Sequence, residues 1–395
     1  MAPPRTEDTV IVPAKYSPSC YACIRSLKRR GVRTVVPSGY DDPPATRSRY
    51  CDEAVSVPSP HDDLIAYRDA LLELAARSSA RTIIPIFEED AYLLSKYREH
   101  FAEHVDLVVP PLGTLATAYD RVELAAAAES AGVPVPETTL LSDVDDWSGA
   151  QIVKSRYNLL TPDRFDEYSA SESHMIKDQE YLEPGEAPEI SATVERMRHE
   201  PIVQTLIPAR DQYVFGALYE EGSPVTTFQH RQVRGETYAG GGGSYRESVA
   251  VPKLERAGRD LLNELDWHGL ACVEFRRHEE TGEFVLIELN PRIWRSTAVA
   301  VESGADFPSD YLSVSAGDAA AVDSTYRTGV GMHFTYGEFT YLRSVLESEY
   351  SNVERPSLHE ALRDVAVSTV AHPRFDYLHL DDPQPFVRGL VNAIR

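Results

Sequence analysis

The chain has 395 residues, 62 acidic against 39 basic, with a formal net charge of −23. That length accommodates about two or three domains with sizeable cores, and 42% hydrophobic content excludes a disordered chain. The negative charge opposes nucleic acid and anionic membrane as partners, and no stretch approaches the about 20 apolar residues of a membrane span. Residues 1–16 lack a basic region followed by an apolar run, so the expectation is a cytoplasmic protein without a secretory leader. Only six of the 39 basic residues are lysine. This acidic, lysine-poor composition is of the halophilic type, suited to a solvent in which like charges are screened within a few ångströms. Circular dichroism at falling salt should therefore show loss of structure; full stability in low salt would contradict the expectation.

TVIVP (9–13) reads as a short apolar strand. Ser17 as cap, Pro18 in the first turn and Gly31 at the end frame a helix over 17–30. Cys20, Cys23, Ile24 and Leu27 then share one buried face, so the C-x-x-C pair reads as core rather than metal or redox site. No second Cys or His pair completes a zinc site. With Cys51 and Cys272 the four cysteines make no disulfide framework. RTVVP (33–37), RTIIPIF (81–87) and VDLVVPP (105–111) predict further strands, and Leu64, Tyr67, Leu71, Leu74 and Ala75 a second helical stripe. Such alternation indicates a parallel, doubly wound sheet with ligands beyond the carboxyl ends of its strands. The first strand–helix junction, PAKYSPS, carries no G-x-G-x-x-G, so a Rossmann-type dinucleotide site has little support.

A second block begins near Leu115. Residues 120–132 predict an Ala-rich helix ended by Gly132, and the prolines of 133–138 impose extended structure. AQIVKSR (150–156) predicts a strand carrying Lys154, while 157–190 read as a polar, irregular insert. A strand over 200–209 precedes two antiparallel strands over 211–235, turning at 221–224. Gly240–Gly243 reads as a loop, 253–266 as a helix, and 270–277 with 283–290 as a hairpin. Beyond 305 short helices and strands mix.

The stretch ACVEFRRHEETGEFVLIELNPRIWRS (271–296) carries the chemistry. Strand alternation puts Phe284, Leu286, Glu288 and Asn290 on one face. The hairpin brings Glu274 roughly opposite Glu288. Two carboxylates and an amide oxygen converging in a half-buried site call for a hard cation. Magnesium fits, because it takes oxygen ligands and completes its shell with phosphate oxygens; manganese is the alternative. Arg292 is placed to reach an anion beside the metal. In 228–248, His230, Arg231 and Arg234 form a cationic cluster before the glycine run, and Arg231 and Arg234 are candidates for binding substrate carboxylate or γ-phosphate.

These ordered features resemble the ATP-grasp superfamily over residues 9–300, through E…E-x-N-P-R, DRVELAAAAESAGVPVPET, IVKS and IVQTLIPARD. The resemblance implies an α/β and α+β chain: an N-terminal doubly wound parallel-sheet domain (1–114), then a two-lobed ATP-grasp domain with antiparallel sheets. Its small lobe would span 115–199 and its large lobe 200–305, with 306–395 a C-terminal extension packed on the large lobe. By resemblance Lys154 binds the α- and β-phosphates of ATP, and Arg121, where many members carry Lys, also contacts phosphate. Gln204, Leu206 and Ile207 line the adenine pocket and Asp211 meets the ribose. Glu274, Glu288 and Asn290 hold magnesium, and Arg292 stabilises the transferred phosphoryl group or acyl phosphate. Residues 157–177 contain no glycine where the family carries a glycine-rich phosphate loop, leaving Lys177 as a candidate substitute.

The expected function is an ATP-dependent ligase that activates a small-molecule carboxylate as an acyl phosphate for attack by an amine, less readily a thiol. No biotin-attachment motif or glutaminase block appears, so a free amine is expected. The alternatives are a small-molecule kinase with the same ATP site and a non-catalytic ATP- or metabolite-binding regulator. Tyr326, Arg327, His333 and Tyr336 read as ordinary packing, ahead of an acceptor pocket or a homodimer contact.

Overall fold

The computed structural model describes residues 8–209, 211–350 and 353–394. Most of the leader expectation, resting on residues 1–7, lies outside them, as do Arg210 and positions 351, 352 and 395. Among the described residues no helix is long and apolar enough to cross a membrane.

The first helix spans Pro18–Arg29 with Ser17 as its cap. Cys20, Cys23, Ile24 and Leu27 are all fully buried, and Gly31 closes the helix at φ +79°. The C-x-x-C is therefore core. The helix packs on a parallel sheet of β1 (Thr9–Ile11), β2 (Arg33–Ser38), β3 (Glu53–Ser56) and β4 (Ala80–Ile83), in the order β3-β2-β1-β4. Val10, Val36 and Ile84 enter the core on the side of the first helix. Ile11, Val35 and Ile83 enter the one holding the 64–75 stripe. Both faces are covered, as a doubly wound sheet requires.

One predicted strand is absent. Residues 105–111 run as an extended, buried connection, with Val105, Val108 and Val109 in the interior. Asp106 donates its N–H to Arg81, but Pro110 and Pro111 have no N–H with which to continue a ladder. Burial had supplied the apolar run that sequence periodicity reads as strand. Conversely, β3 alternates half-buried and exposed residues and was not anticipated.

The small antiparallel sheet comprises β5 (Thr138–Leu140), β6 (Gln151–Lys154), β7 (Gln179–Leu182) and β8 (Ile202–Thr205), ordered β5-β8-β6-β7. The insert 157–190 thus contributes an edge strand. The large antiparallel sheet comprises β9 (Asp211–Glu220), β10 (Ser223–Thr237), β11 (Gly240–Val249), β12 (Gly269–Arg277), β13 (Phe284–Asn290) and β14 (Gly331–His333). Its order is β13-β12-β9-β10-β11-β14. The four glycines, expected as a loop, open β11: Gly243 pairs with Gly235 and Gly240 with Thr237. The chain turns in two residues, Tyr238 and Ala239, and the glycines fit because their missing side chains allow close approach. A Cβ on Gly235 would lie 2.3 Å from the Gly240 oxygen.

The large sheet shows which face is functional. Tyr213, Phe215, Ala217, Ala271, Val273 and Phe275 pack beneath helices 121–130 and 252–264. The opposite face is apolar at one end, where Leu218, Phe228 and Leu270 join the core of the first helix. At its other end the same face turns polar.

Candidate functional site

That polar end floors a cavity of about 460 Å³. Two rows of residues cross the sheet there. In register run Glu288, Glu274, Val214 and His230; two residues further along the strands run Arg276, Gln212, Gln232 and Arg246. Glu274 lies directly opposite Glu288. The alternation behind that expectation fails locally, however. Phe275 pairs with Leu286 and Glu274 with Glu288, so Ile287 is an extra residue, a β-bulge. Phe284 and Leu286 face the core beneath the sheet, whereas Glu288 and Asn290, past the bulge, line the cavity. The four were expected on one face; one inserted residue splits them.

The structure gathers Arg121, Lys154, Glu274, Glu288, Asn290 and Arg292 around this cavity. Lys177 also lines it, on the irregular segment after β6. Lys154 sits at the end of β6, and its ammonium makes no hydrogen bond or ion pair among the described residues. Burial, then Arg121, lowers its pKa to about 7. Arg121 Nη1 donates to the Ser155 carbonyl (2.8 Å) and Nη2 to Glu288 Oε1 (3.1 Å). Burial, then Glu288, raises Glu274 well above the usual carboxylate range, while Gln212 Nε2 donates to its Oε2 at 2.8 Å. Arg292 donates from Nε to Glu88 Oε1 (2.6 Å) and from Nη2 to Asn290 Oδ1 (3.3 Å). Burial, the largest influence, opposes its charge, but Glu88 together with its other acidic neighbours more than offsets this and the guanidinium stays protonated. Cys272 is no ready nucleophile: burial, then Glu274, keeps its thiol far above neutrality.

Among the described residues no three His, Cys, Asp or Glu side chains converge on a metal-sized site. A cation here would have two facing carboxylates and one amide oxygen. That donor set fits magnesium, which takes few protein ligands and fills its shell with water and phosphate oxygens. Glu274 is raised by its burial first and by the facing Glu288 second, and a cation between the two would offset both.

Other expected residues lie elsewhere. Gln204 is buried in β8 and donates to Thr138 Oγ1 (2.8 Å). Leu206 and Ile207 follow β8, with the Leu206 N–H on the Ala150 carbonyl. Asp211 starts β9 opposite Arg277. None of these four, nor Arg231 or Arg234, is in the cavity lining. The expected cationic cluster is also dispersed. His230 lines the cavity but is neutral, its pKa lowered to about 3 by burial, then Arg246; its Nε2 meets Ser296 Oγ at 2.7 Å. Arg231 alternates to the opposite face of β10. Arg234, past a register shift after Gln232, is held by Glu338 at 2.8 Å.

In their place the cavity receives Glu88, Gln212, Gln232, Arg246, Arg276 and Arg295, which sequence reasoning did not single out. Arg276 carried a usable signal, being two residues from Glu274 on the same strand face. Glu88, immediately after β4 and its connection, is where a parallel sheet presents ligand groups.

No protein-family model matches the chain, and no curated protein matches it in sequence. Solved structures do match in fold. The chain is similar to pyruvate carboxylase from Rhizobium etli at 18% identity and TM-score 0.59, covering 82% of this chain and 30% of that one. It thus spans under a third of that carboxylase. It is similar to the L-amino acid ligase from Bacillus licheniformis at 13% identity and TM-score 0.60, covering 82% and 78%. A third, N5-carboxyaminoimidazole synthetase from Staphylococcus aureus complexed with ADP, aligns at 12% identity and TM-score 0.60, covering 91% and 96%. The chain has the ATP-grasp fold.

Proposed function

We propose that this protein is an ATP-dependent ligase that phosphorylates a small-molecule carboxylate to an acyl phosphate, which an amine then attacks, releasing ADP and phosphate. The observation that carries the reading is the convergence, in one cavity, of the facing pair Glu274–Glu288 with Asn290, the unpaired Lys154, and Arg292. The fold supports it, since structures of similar fold include a ligase and an ADP-bound synthetase.

Phosphoryl transfer needs charge neutralisation and alignment more than covalent help. Lys154, on a strand, offers an ammonium to the nucleotide phosphates, and Arg121 reaches the same space. Glu274, Glu288 and Asn290 would hold magnesium, which supplies positive charge across the phosphate oxygens. Arg292, fixed by Glu88, Asn290 and the Ile293 carbonyl, would offer its remaining donors to the carboxylate being activated. The expected adenine-side residues, Gln204, Leu206, Ile207 and Asp211, lie outside the cavity lining, on and after β8 and at the start of β9; in this reading they stay candidates for the adenine and ribose side. Mixing ATP, candidate carboxylates and amines, and following ADP, tests the reaction. ADP release without amine, with a stable phosphorylated product, would instead indicate a kinase.

Lys154 makes a pH prediction. At pH 8 the free protein holds it mostly neutral, because its pKa is lowered to about 7. Bound phosphate favours the ammonium, so metal-free ATP should bind with uptake of about one proton at pH 8. Affinity should fall as pH rises above 7. Calorimetry in two buffers of different ionisation enthalpy measures the uptake. Lys154→Arg, charged throughout, should abolish it; equal uptake in that variant would remove Lys154 from the phosphate site.

A further inference from the structure

The cavity is longer than an activation site needs. Its metal end lies over β13 and β12. Its other end reaches Arg246 on β11, three strand spacings from Glu274, or about 14 Å. That far end has its own construction. Arg246 is almost wholly buried, with Nη1 on Asp376 Oδ2 at 2.8 Å and Nη2 on the Gly243 carbonyl. Arg295 stands beside it, paired through Nη1 to Glu236 at 2.8 Å. Both guanidinium groups lie over the Phe334 ring, 5.9 and 5.3 Å from its centroid. The remaining donors of Arg295 have no partner among the described residues.

Two further details make this a built site. A Cβ on Gly242 would lie 1.5 Å from Arg295 Nη2, so the guanidinium occupies the space a side chain would take. The positioning carboxylate Asp376 is only 2% exposed and comes from the C-terminal segment, together with Phe334. Burying a carboxylate is costly unless it is paired, and this one is spent on aiming a cavity arginine.

We propose that Arg295 and Arg246 form a subsite for a second, non-reacting carboxylate, separate from the one activated beside Arg292. This rests on the ligase reading and deepens it: at least one substrate is a dicarboxylate donor or an amino-acid acceptor, not a simple acid with a simple amine. A planar carboxylate fits because Arg295 offers adjacent Nε and Nη2 donors, which match its two oxygens. Gln232, whose Nε2 donates to the Gly241 carbonyl, borders the same end. Gly242 is the specificity element, since any side chain there displaces Arg295.

The test is calorimetric titration of the full chain, loaded with magnesium and a non-hydrolysable ATP analogue, using matched probes. Aliphatic dicarboxylates from malonate to adipate are compared with the monocarboxylates of equal length, and amino acids with their amides. The expected result is selective binding within one series, which identifies the source of the carboxylate. Arg295→Gln, at a partly exposed side chain that the fold tolerates, should weaken that binding about tenfold or more. Gly242→Ala should do the same while keeping the charge. Nucleotide affinity should stay unchanged in both. The proposal is overturned if neither series discriminates, if Arg295→Gln leaves discrimination intact, or if Arg295→Gln weakens nucleotide instead. Binding is read without turnover, so its failure is separable from failure of the ligase reading, which ADP release and Lys154 variants address.

Discussion

Glu288→Gln should lower turnover by about a thousandfold while leaving the fold intact. Gln is isosteric and keeps an oxygen for Arg121 Nη2, now 3.1 Å from Glu288 Oε1. Three effects follow from removing one charge. The facing pair Glu274–Glu288 becomes a single carboxylate, too little for a divalent cation. Glu274, held high by burial and by Glu288, drops toward its ordinary range. Lys154, whose charge Glu288 supports, has its pKa lowered further, so its ammonium is harder to form against phosphate. Relief of carboxylate repulsion keeps thermal stability at or above that of the parent, so the variant should pair lost activity with unaltered melting. ADP release and a thermal melt, run side by side, decide it. Turnover within a few fold of the parent would remove Glu288 from the chemistry.

Much of this site was legible because its residues contradict their surroundings. Glu274, Glu288 and Asn290 are polar among mostly apolar strand neighbours. Lys154 is one of only six lysines, and with Lys177 it lines the cavity. Lys15 feels Arg292, Glu88 and Lys177, and burial, then Arg292, lowers its pKa to about 8. Half the lysines of a lysine-poor chain thus gather at one place. What was not legible depended on single-residue events and remote partners. A bulge at Ile287 reverses the phase of β13, and alternation alone has no way to announce it. Arg231, Arg234, Arg246 and Arg295 look alike in sequence. Their fates are decided by a register shift in β10 and by three acids far away in sequence or strand: Glu338, Asp376 and Glu236. The Arg292–Glu88 contact joins residues 204 apart. It couples the N-terminal sheet to the reaction end of the cavity, which no local pattern foretells.

Asp120→Ala should be strongly destabilising, costing about 3 kcal/mol. Asp120 is fully buried and caps the helix that Arg121 begins, accepting from the Val122 N–H at 3.0 Å. It also receives Arg156 through Nε (2.9 Å) and Nη2 (2.7 Å), and Arg164 through Nη1 (3.3 Å). Removing it deletes a cap, worth about 1 kcal/mol, and leaves two guanidinium groups without their shared acceptor. Both are about a quarter exposed, so water recovers part of the loss and the total stays near the low end for a broken buried pair. The consequence for function is geometric. The Arg121 N–H bonds the Arg156 carbonyl at 2.9 Å, and the Arg121 guanidinium bonds the Ser155 carbonyl. Asp120 therefore locks the start of this helix to the end of β6, one residue from Lys154. Loosening that joint should weaken ATP binding as well as lower the first unfolding transition in denaturant. Asp120→Asn, which keeps the cap oxygen but loses the charge, should fall between Ala and parent on both measures. If Asp120→Ala binds ATP as tightly as the parent while unfolding earlier, the joint serves stability alone, and Arg121 is held to the cavity by its own bonds.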